Sequence, residues 1–391
     1  MEIAERISRL GTEQAFNVLG RAKEEERKGV DMIHMEIGDT DFNTPKPIKD
    51  ACIKAIEENQ THYLPSQGLY ELREKIAPML AKTRMIDVTP EDVIITPGGK
   101  PLILYTIMAL INPGDEVLYP NPGYPAYESL INFFGGKAVP LPLLGEKNFN
   151  FDIEEFKSLV TDKTKLIIIN SPQNPTGGVF THESLEAIAN VAKEKDLMVF
   201  SDEVYSQFVF EGEFESIASF PGMADRTIVL DAYTKTFSMS GWRLGYGYVP
   251  KEYMKVFGNL INNTVSCSPN FTQWAGIAGW DEESLAEVAK MRDALEKRRD
   301  IMVAELNTLE GVKCHTPGGA IYVFPDVSAT GKKSSEIYET LFTKAHVACL
   351  AGTSFGQYGE GYIRLSFGNN GEERLKEGLD RIKKIWPEIL N

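Results

Sequence analysis

The sequence predicts an α/β fold, with a mostly parallel central sheet covered by helices and joined to a second, smaller α+β domain. Three observations point there. Short apolar runs alternate with helical patterns through the middle of the chain, polar and reactive residues come directly after those runs, and one long charged helical stretch precedes a change of pattern.

The apolar runs are Val93–Thr96, Glu116–Tyr119, Leu166–Asn170, Leu197–Ser201, Thr227–Leu230 and Tyr246–Val249. Their apolarity is continuous rather than alternating, which marks strands covered on both faces. Helical patterns fall at Leu102–Ile111, Tyr127–Phe134, His182–Lys195 and Lys251–Ile261. From Asp281 a charged helical pattern runs to about Glu310 and stops at Gly311. Strand-like pieces come next at Ile321–Phe324 and Tyr362–Phe367, with helices around Ser334–Lys344 and Glu372–Ile385. The expected division is a large domain over 46–285 and a small one from 1–45 plus 286–391, the first segment crossing back onto the last.

The residues just past each run carry the chemistry. Thr96 leads into Pro97-Gly98-Gly99-Lys100, and Tyr119 into Pro120-Asn121-Pro122-Gly123-Tyr124. Asn170 precedes Ser171-Pro172-Gln173-Asn174-Pro175-Thr176-Gly177, and Leu197–Ser201 ends at Asp202-Glu203-Val204-Tyr205. Leu230 leads to Thr234-Lys235, with Arg243 eight positions beyond. In open α/β sheets the carboxyl edge of the strands is where ligands bind.

A lysine amine forms an imine with an aldehyde, while an arginine fork and a neighbouring hydroxyl suit a phosphate monoester. Lys235, Thr234 and Arg243 together suggest pyridoxal 5'-phosphate (PLP), held covalently at one end and by its phosphate at the other. Taken alone, the segment also reads as a surface lysine and arginine after a core strand. Gly98-Gly99-Lys100 at a strand-to-helix junction is a plausible phosphate cradle, since helix-start N–H groups favour anions. Pro101 is tolerated in a first turn. Asp202, at the end of a buried strand, needs a cationic partner; a protonated pyridine nitrogen supplies one, and a helix N-cap role is the alternative.

Composition narrows the partners. A formal charge of −15 over 391 residues argues against nucleic acid or an anionic membrane. No apolar run approaches the roughly 20 residues that span a bilayer, and the charged amphipathic N-terminus is unlike a signal peptide. The four cysteines are scattered, with no zinc spacing, which fits a reduced cytoplasmic setting. Gly245-x-Gly247 and Gly352–Gly356 lack the context of a dinucleotide fingerprint.

Taken in order, these residues resemble the fold-type-I PLP enzymes of the aspartate aminotransferase-like (class I/II) family. The resemblance extends from Glu36-Ile37-Gly38-Asp39-Thr40-Asp41-Phe42, through Tyr63 and Gly68, to Tyr362-Ile363-Arg364-Leu365-Ser366. It implies the PLP-dependent transferase fold type I, and it implies roles. Lys235 looks like the Schiff-base lysine and proton shuttle, Asp202 the partner of the pyridine nitrogen, and Tyr205 and Asn174 the donors to the cofactor 3'-oxygen. Tyr124 resembles the ring stacked on the pyridine, and Gly99, Lys100, Thr234 and Arg243 the phosphate cradle. Tyr63 resembles the tyrosine that reaches the neighbouring subunit's phosphate, which implies a homodimer with shared active sites. Arg364 resembles the clamp on the substrate α-carboxylate, with Asn174, Tyr124 and Gly38 beside it. One departure is Ala232-Tyr233-Thr234-Lys235, where the family often has Ser-x-Ser-Lys; one phosphate-binding hydroxyl is missing and the other is a threonine.

The activity implied is transfer of an amino group from an L-amino acid to a 2-oxo acid such as 2-oxoglutarate. Aspartate is the favoured donor, because Lys100 stands where some aspartate-using relatives bind the distal carboxylate. Glu13 and Ala15 fall roughly where such relatives carry small hydroxyl residues. Alanine, aromatic or other neutral donors are alternatives, as is a PLP-dependent β-lyase. A non-catalytic PLP-binding regulator and a cofactor-free scaffold are the readings outside enzymology.

Overall fold

The computed structural model describes residues 3–391. Its centre is a seven-stranded sheet, numbered here in chain order: β1 (Val93–Thr96), β2 (Glu116–Asn121), β3 (Lys137–Pro142), β4 (Thr164–Asn170), β5 (Met198–Asp202), β6 (Thr227–Ala232) and β7 (Gly245–Tyr248). The spatial order is β1-β7-β6-β5-β4-β2-β3. Strands β3, β2, β4, β5 and β6 pair in parallel, while β7 runs antiparallel to both β1 and β6.

Alternate side chains of one strand feed different cores. Leu166 and Ile168 of β4 join a cluster with Leu102, Ile103, Phe200 and Phe257. Ile167 and Ile169 join another, with Leu185, Ile188 and Val199. Both faces of the strand are buried, which is why its apolarity is continuous in the sequence.

The covering helices obey the same logic at their own period. Helix His182–Glu194 opens with the Thr181 hydroxyl accepting the Ser184 N–H, and it buries Leu185, Ile188, Ala189 and Ala192. Helix Glu282–Leu306 buries Val288, Met291, Leu295, Arg299, Met302 and Leu306, steps of three and four along one stripe. It ends four residues short of the expected Glu310. The Asn307 side chain there bonds both the N–H and the carbonyl of Cys314, at 2.9 Å each, and turns the chain back.

Strand β3 is absent from the sequence prediction. It is the edge strand and carries Pro140 and Pro142, residues that demote a run read from sequence but are tolerated where one side of a strand has no neighbour. The sequence pattern likewise leaves the helices Gln14–Arg27, Lys46–Glu57 and Tyr70–Arg84 unmarked; the last contains Pro78.

Away from the central sheet, Ile363–Ser366 pairs antiparallel with Leu350–Ala351 on one side and Tyr322–Val323 on the other. Ile33–His34 pairs in parallel with Val347–Ala348, bringing the early chain against the late one.

Candidate active site

The carboxyl ends of β2, β4, β5 and β6 point to one edge of the sheet, and the turn after β1 joins them. Because β7 is antiparallel, the residues before it reach that same edge: Gly245 lies opposite both Thr96 and Ala232. Arg243 is thereby delivered beside Gly98. A Cβ on Gly98 would sit 2.1 Å from an Arg243 guanidinium nitrogen, and its φ of +87° is one that side chains rarely adopt. Arg243 itself is held in the left-handed region at φ 55°, a conformation uncommon for non-glycine residues.

These segments enclose a cavity of roughly 630 Å³. Gly38, Gly99, Lys100, Tyr124, Asn174, Asp202, Tyr205, Thr234, Lys235, Arg243 and Arg364 all line it. Of the residues singled out from sequence, Tyr63 alone stands apart, 85% exposed on the surface.

Asp202 closes the cavity floor. Its Oδ2 accepts a 2.6 Å hydrogen bond from the Tyr127 hydroxyl and its Oδ1 a long one from the Val204 N–H. No basic side chain among the described residues lies in ion-pair range of it. Burial pushes its pKa up to about 7, against the pull of the Tyr127 bond and with help from the Asp231 and Glu203 charges. Behind it, fully buried Arg84 binds Glu203 at 2.8 Å and Asp231 at 2.7 Å. One guanidinium facing two carboxylates leaves negative charge at the back of Asp202, so the floor favours a cation.

Arg364 lies between the Tyr322 and Phe355 rings, 4.5 and 4.8 Å from their centres. One terminal nitrogen donates to Asn174 Oδ1 at 2.9 Å and the other to the Glu36 carbonyl. Its Nε–H is buried and unpaired. Among the described residues no carboxylate is in ion-pair range, and burial lowers its pKa.

Lys235, in the short helix Tyr233–Thr236 after β6, donates from Nζ to the Gly38 carbonyl. The Tyr205 ring lies 5.9 Å from that amine, and the Tyr205 hydroxyl meets the Tyr322 hydroxyl at 2.7 Å. Gly38 approaches so closely that a Cβ there would stand 1.9 Å from the Tyr322 oxygen. Where the first serine of Ser-x-Ser-Lys is missing, Ala232 lines the cavity; Ser240 lines it too, but its hydroxyl is engaged by Asp39 at 2.8 Å.

With this geometry in place, comparison with known proteins is decisive. A family model described as aminotransferase class I and II matches residues 30–382. The chain belongs to this family. A "Probable aspartate/prephenate aminotransferase" of Aquifex aeolicus is 41% identical, with 99% of each chain covered. "Aromatic-amino-acid aminotransferase 2" of Thermococcus litoralis is 39% identical over 91% of this chain and 92% of that one. The structure of the Thermus thermophilus aspartate aminotransferase with maleate superposes with a TM-score of 0.94 at 34% identity, covering 98% of this chain and 100% of that one. The fold is that of the fold-type-I aminotransferases.

In this aminotransferase the donor set fits PLP. A buried carboxylate without a counter-ion suits a protonated ring nitrogen. The Arg243 guanidinium, with no carboxylate partner among the described residues and beside a glycine turn that a Cβ would block, suits a phosphate. An amine lies in the same cavity. Sequence reasoning missed Tyr127, Tyr322 and Phe355. Tyr127 reads as an apolar position of a helix and Tyr322 as a strand residue, so their contacts carried no local signal.

Proposed function

We propose that this chain is a PLP-dependent transaminase that moves an amino group from an L-amino acid, aspartate favoured, to a 2-oxo acid such as 2-oxoglutarate. One observation carries the reading: a single cavity holds a buried carboxylate, Asp202, and a buried guanidinium, Arg364, each without a counter-ion among the described residues. A cofactor with a cationic ring nitrogen and a substrate with a carboxylate supply what each lacks.

When bound, PLP supplies an aldehyde that captures the amino group and a ring that takes up the electron pair left at Cα. The protein's residues do the rest. Asp202 keeps the ring nitrogen protonated. Tyr205 and Asn174 would hold the 3'-oxygen, and Tyr124 would lie against the ring. The Gly99 and Lys100 N–H groups, the Thr234 hydroxyl and Arg243 hold the phosphate. Lys235 would hold the aldehyde end of the cofactor, and its amine, when free, would take the proton from the substrate Cα. Arg364 and Asn174 orient the α-carboxylate, with the Gly38 backbone alongside.

The basic residues lining the cavity are Lys100, Lys235, Arg243 and Arg364. With three assigned to cofactor and α-carboxylate, Lys100 remains for the distal carboxylate of a dicarboxylic substrate, which favours aspartate. The names of the Aquifex and Thermococcus relatives cover acidic and aromatic substrates alike. The division into a large unit (46–285) and a small one (1–45 plus 286–391) puts Lys235 and Arg364 on different bodies, so substrate would favour closure. All four cysteines are free, in keeping with a cytoplasmic enzyme.

Incubation with aspartate and 2-oxoglutarate is expected to yield oxaloacetate and glutamate; pyruvate released from cystathionine instead would point to a β-lyase. Arg364→Ala is expected to raise KM for amino and oxo acids by roughly 10²-fold, the loss of a buried charge-assisted pair. Titration of the half-reaction checks it, and unchanged affinity for both would refute the clamp. Tyr63, exposed in one chain, is assigned to a partner's phosphate. Sedimentation is therefore expected to report a dimer, and a monomer with full activity would overturn the shared site.

A further inference from the structure

Lys100 is not free in the cavity. Its Nζ pairs with Glu13 Oε1, and that same oxygen accepts the Tyr124 hydroxyl at 2.9 Å. Glu13 immediately precedes helix Gln14–Arg27 but makes no capping hydrogen bond with it. Its carboxylate is therefore turned away from the local structural task that residues at that place usually perform. Lys100 opens helix Lys100–Leu110, where a cation is disfavoured by the helix dipole and a nearby anion is wanted.

The pair stands in a shared wall. Glu13 and Lys100 line both the active-site cavity and a second one of roughly 310 Å³, whose lining includes Thr12 and Ser129. Glu13 thus borders space outside the active-site cavity, in which Thr12 and Ser129 carry the hydroxyls of an otherwise largely apolar lining. On the active-site side, the Phe16 and Tyr124 rings lie 5.6 and 5.8 Å from Lys100 Nζ, with Leu19 and Ile37 in the same lining. While the pair is closed, that end of the cavity is neutral and largely apolar.

We infer that Glu13 is a specificity-determining residue: it neutralises Lys100 when a neutral or aromatic side chain occupies the cavity, and yields Lys100 to the distal carboxylate of a dicarboxylic substrate. The inference rests on the transaminase reading above. It lets one cavity serve two substrate classes, at the expense of affinity for the acidic class, since a dicarboxylate must first displace a built-in competitor.

Glu13→Gln removes the competitor and keeps the shape. The ratio of kcat/KM for aspartate over phenylalanine is expected to rise roughly fivefold, the scale of one partly screened ion pair, through a lower KM for aspartate. Glu13→Ala is expected to shift the ratio in the same direction, and in a Lys100→Gln background the Glu13 effect disappears. A ratio that stays put or falls, a parallel loss with both donors, or the same rise without Lys100 would overturn the role. If the wild-type holoenzyme transaminates neither aspartate nor phenylalanine, the aspartate-favoured transaminase reading itself fails and this inference with it. Activity in the wild type with an unmoved ratio in the variants sinks the Glu13 role alone.

Discussion

Replacing Lys235 with alanine is expected to cut transamination by at least about 10³-fold while leaving PLP able to bind. Removal of a positioned acid–base group costs on the order of 10²- to 10⁴-fold, and on the proposed assignment the same amine also carries the cofactor. The remaining contacts survive the substitution. On the proposed assignment Asp202 would still face the ring nitrogen and Arg243 with the turn at Gly98 would still offer the phosphate site, while Arg364 keeps its unpaired Nε–H. Lys235 donates only to the Gly38 carbonyl, so the fold loses little. Single-turnover measurement with a saturating amino acid separates loss of proton transfer from loss of binding, and near-normal turnover would overturn the assignment.

Asp202→Asn is expected to lower activity by roughly 10²- to 10³-fold, the scale seen when one preorganised electrostatic partner is removed. It should also leave a signature in the cofactor-free protein. The Asp202 pKa is raised from 3.8 to about 7, chiefly by burial. Below about pH 4 the carboxyl is neutral whether the chain is folded or not. Between that point and about pH 7 the unfolded chain ionises while the folded one keeps its proton, so this group's contribution to stability is lost as pH rises. Cofactor-free Asp202→Asn is therefore expected to melt above the wild type at pH 8 and level with it at pH 4. PLP should stabilise the wild type more than the variant at pH 8. Thermal melts at the two pH values, with and without PLP, check both statements; equal melting of the two cofactor-free proteins at pH 8 would contradict them.

Much of this was legible in the residues because buried parallel strands announce themselves. Leu166–Asn170 is apolar without a break since both of its faces feed cores, and the residues after each such run mark the edge where the cavity forms. β3 was hidden by Pro140 and Pro142, which only its edge position tolerates. The stop of the long helix at Leu306 depends on Asn307 reaching Cys314, a contact without local signature. In the site, residues with distinctive chemistry were readable and those acting through a neighbour were not. Tyr127 matters because its hydroxyl meets Asp202, and Tyr322 because it meets Tyr205 and lies against Arg364. Glu13 was visible only as a position without a hydroxyl; its partner Lys100 lies 87 residues away.

Reduction of the PLP-loaded protein with borohydride, then peptide mapping, tests the central claim most directly. The expected result is a single pyridoxyl label on the Nζ of Lys235. A label fixed on another lysine, or none after full cofactor uptake, would contradict the account.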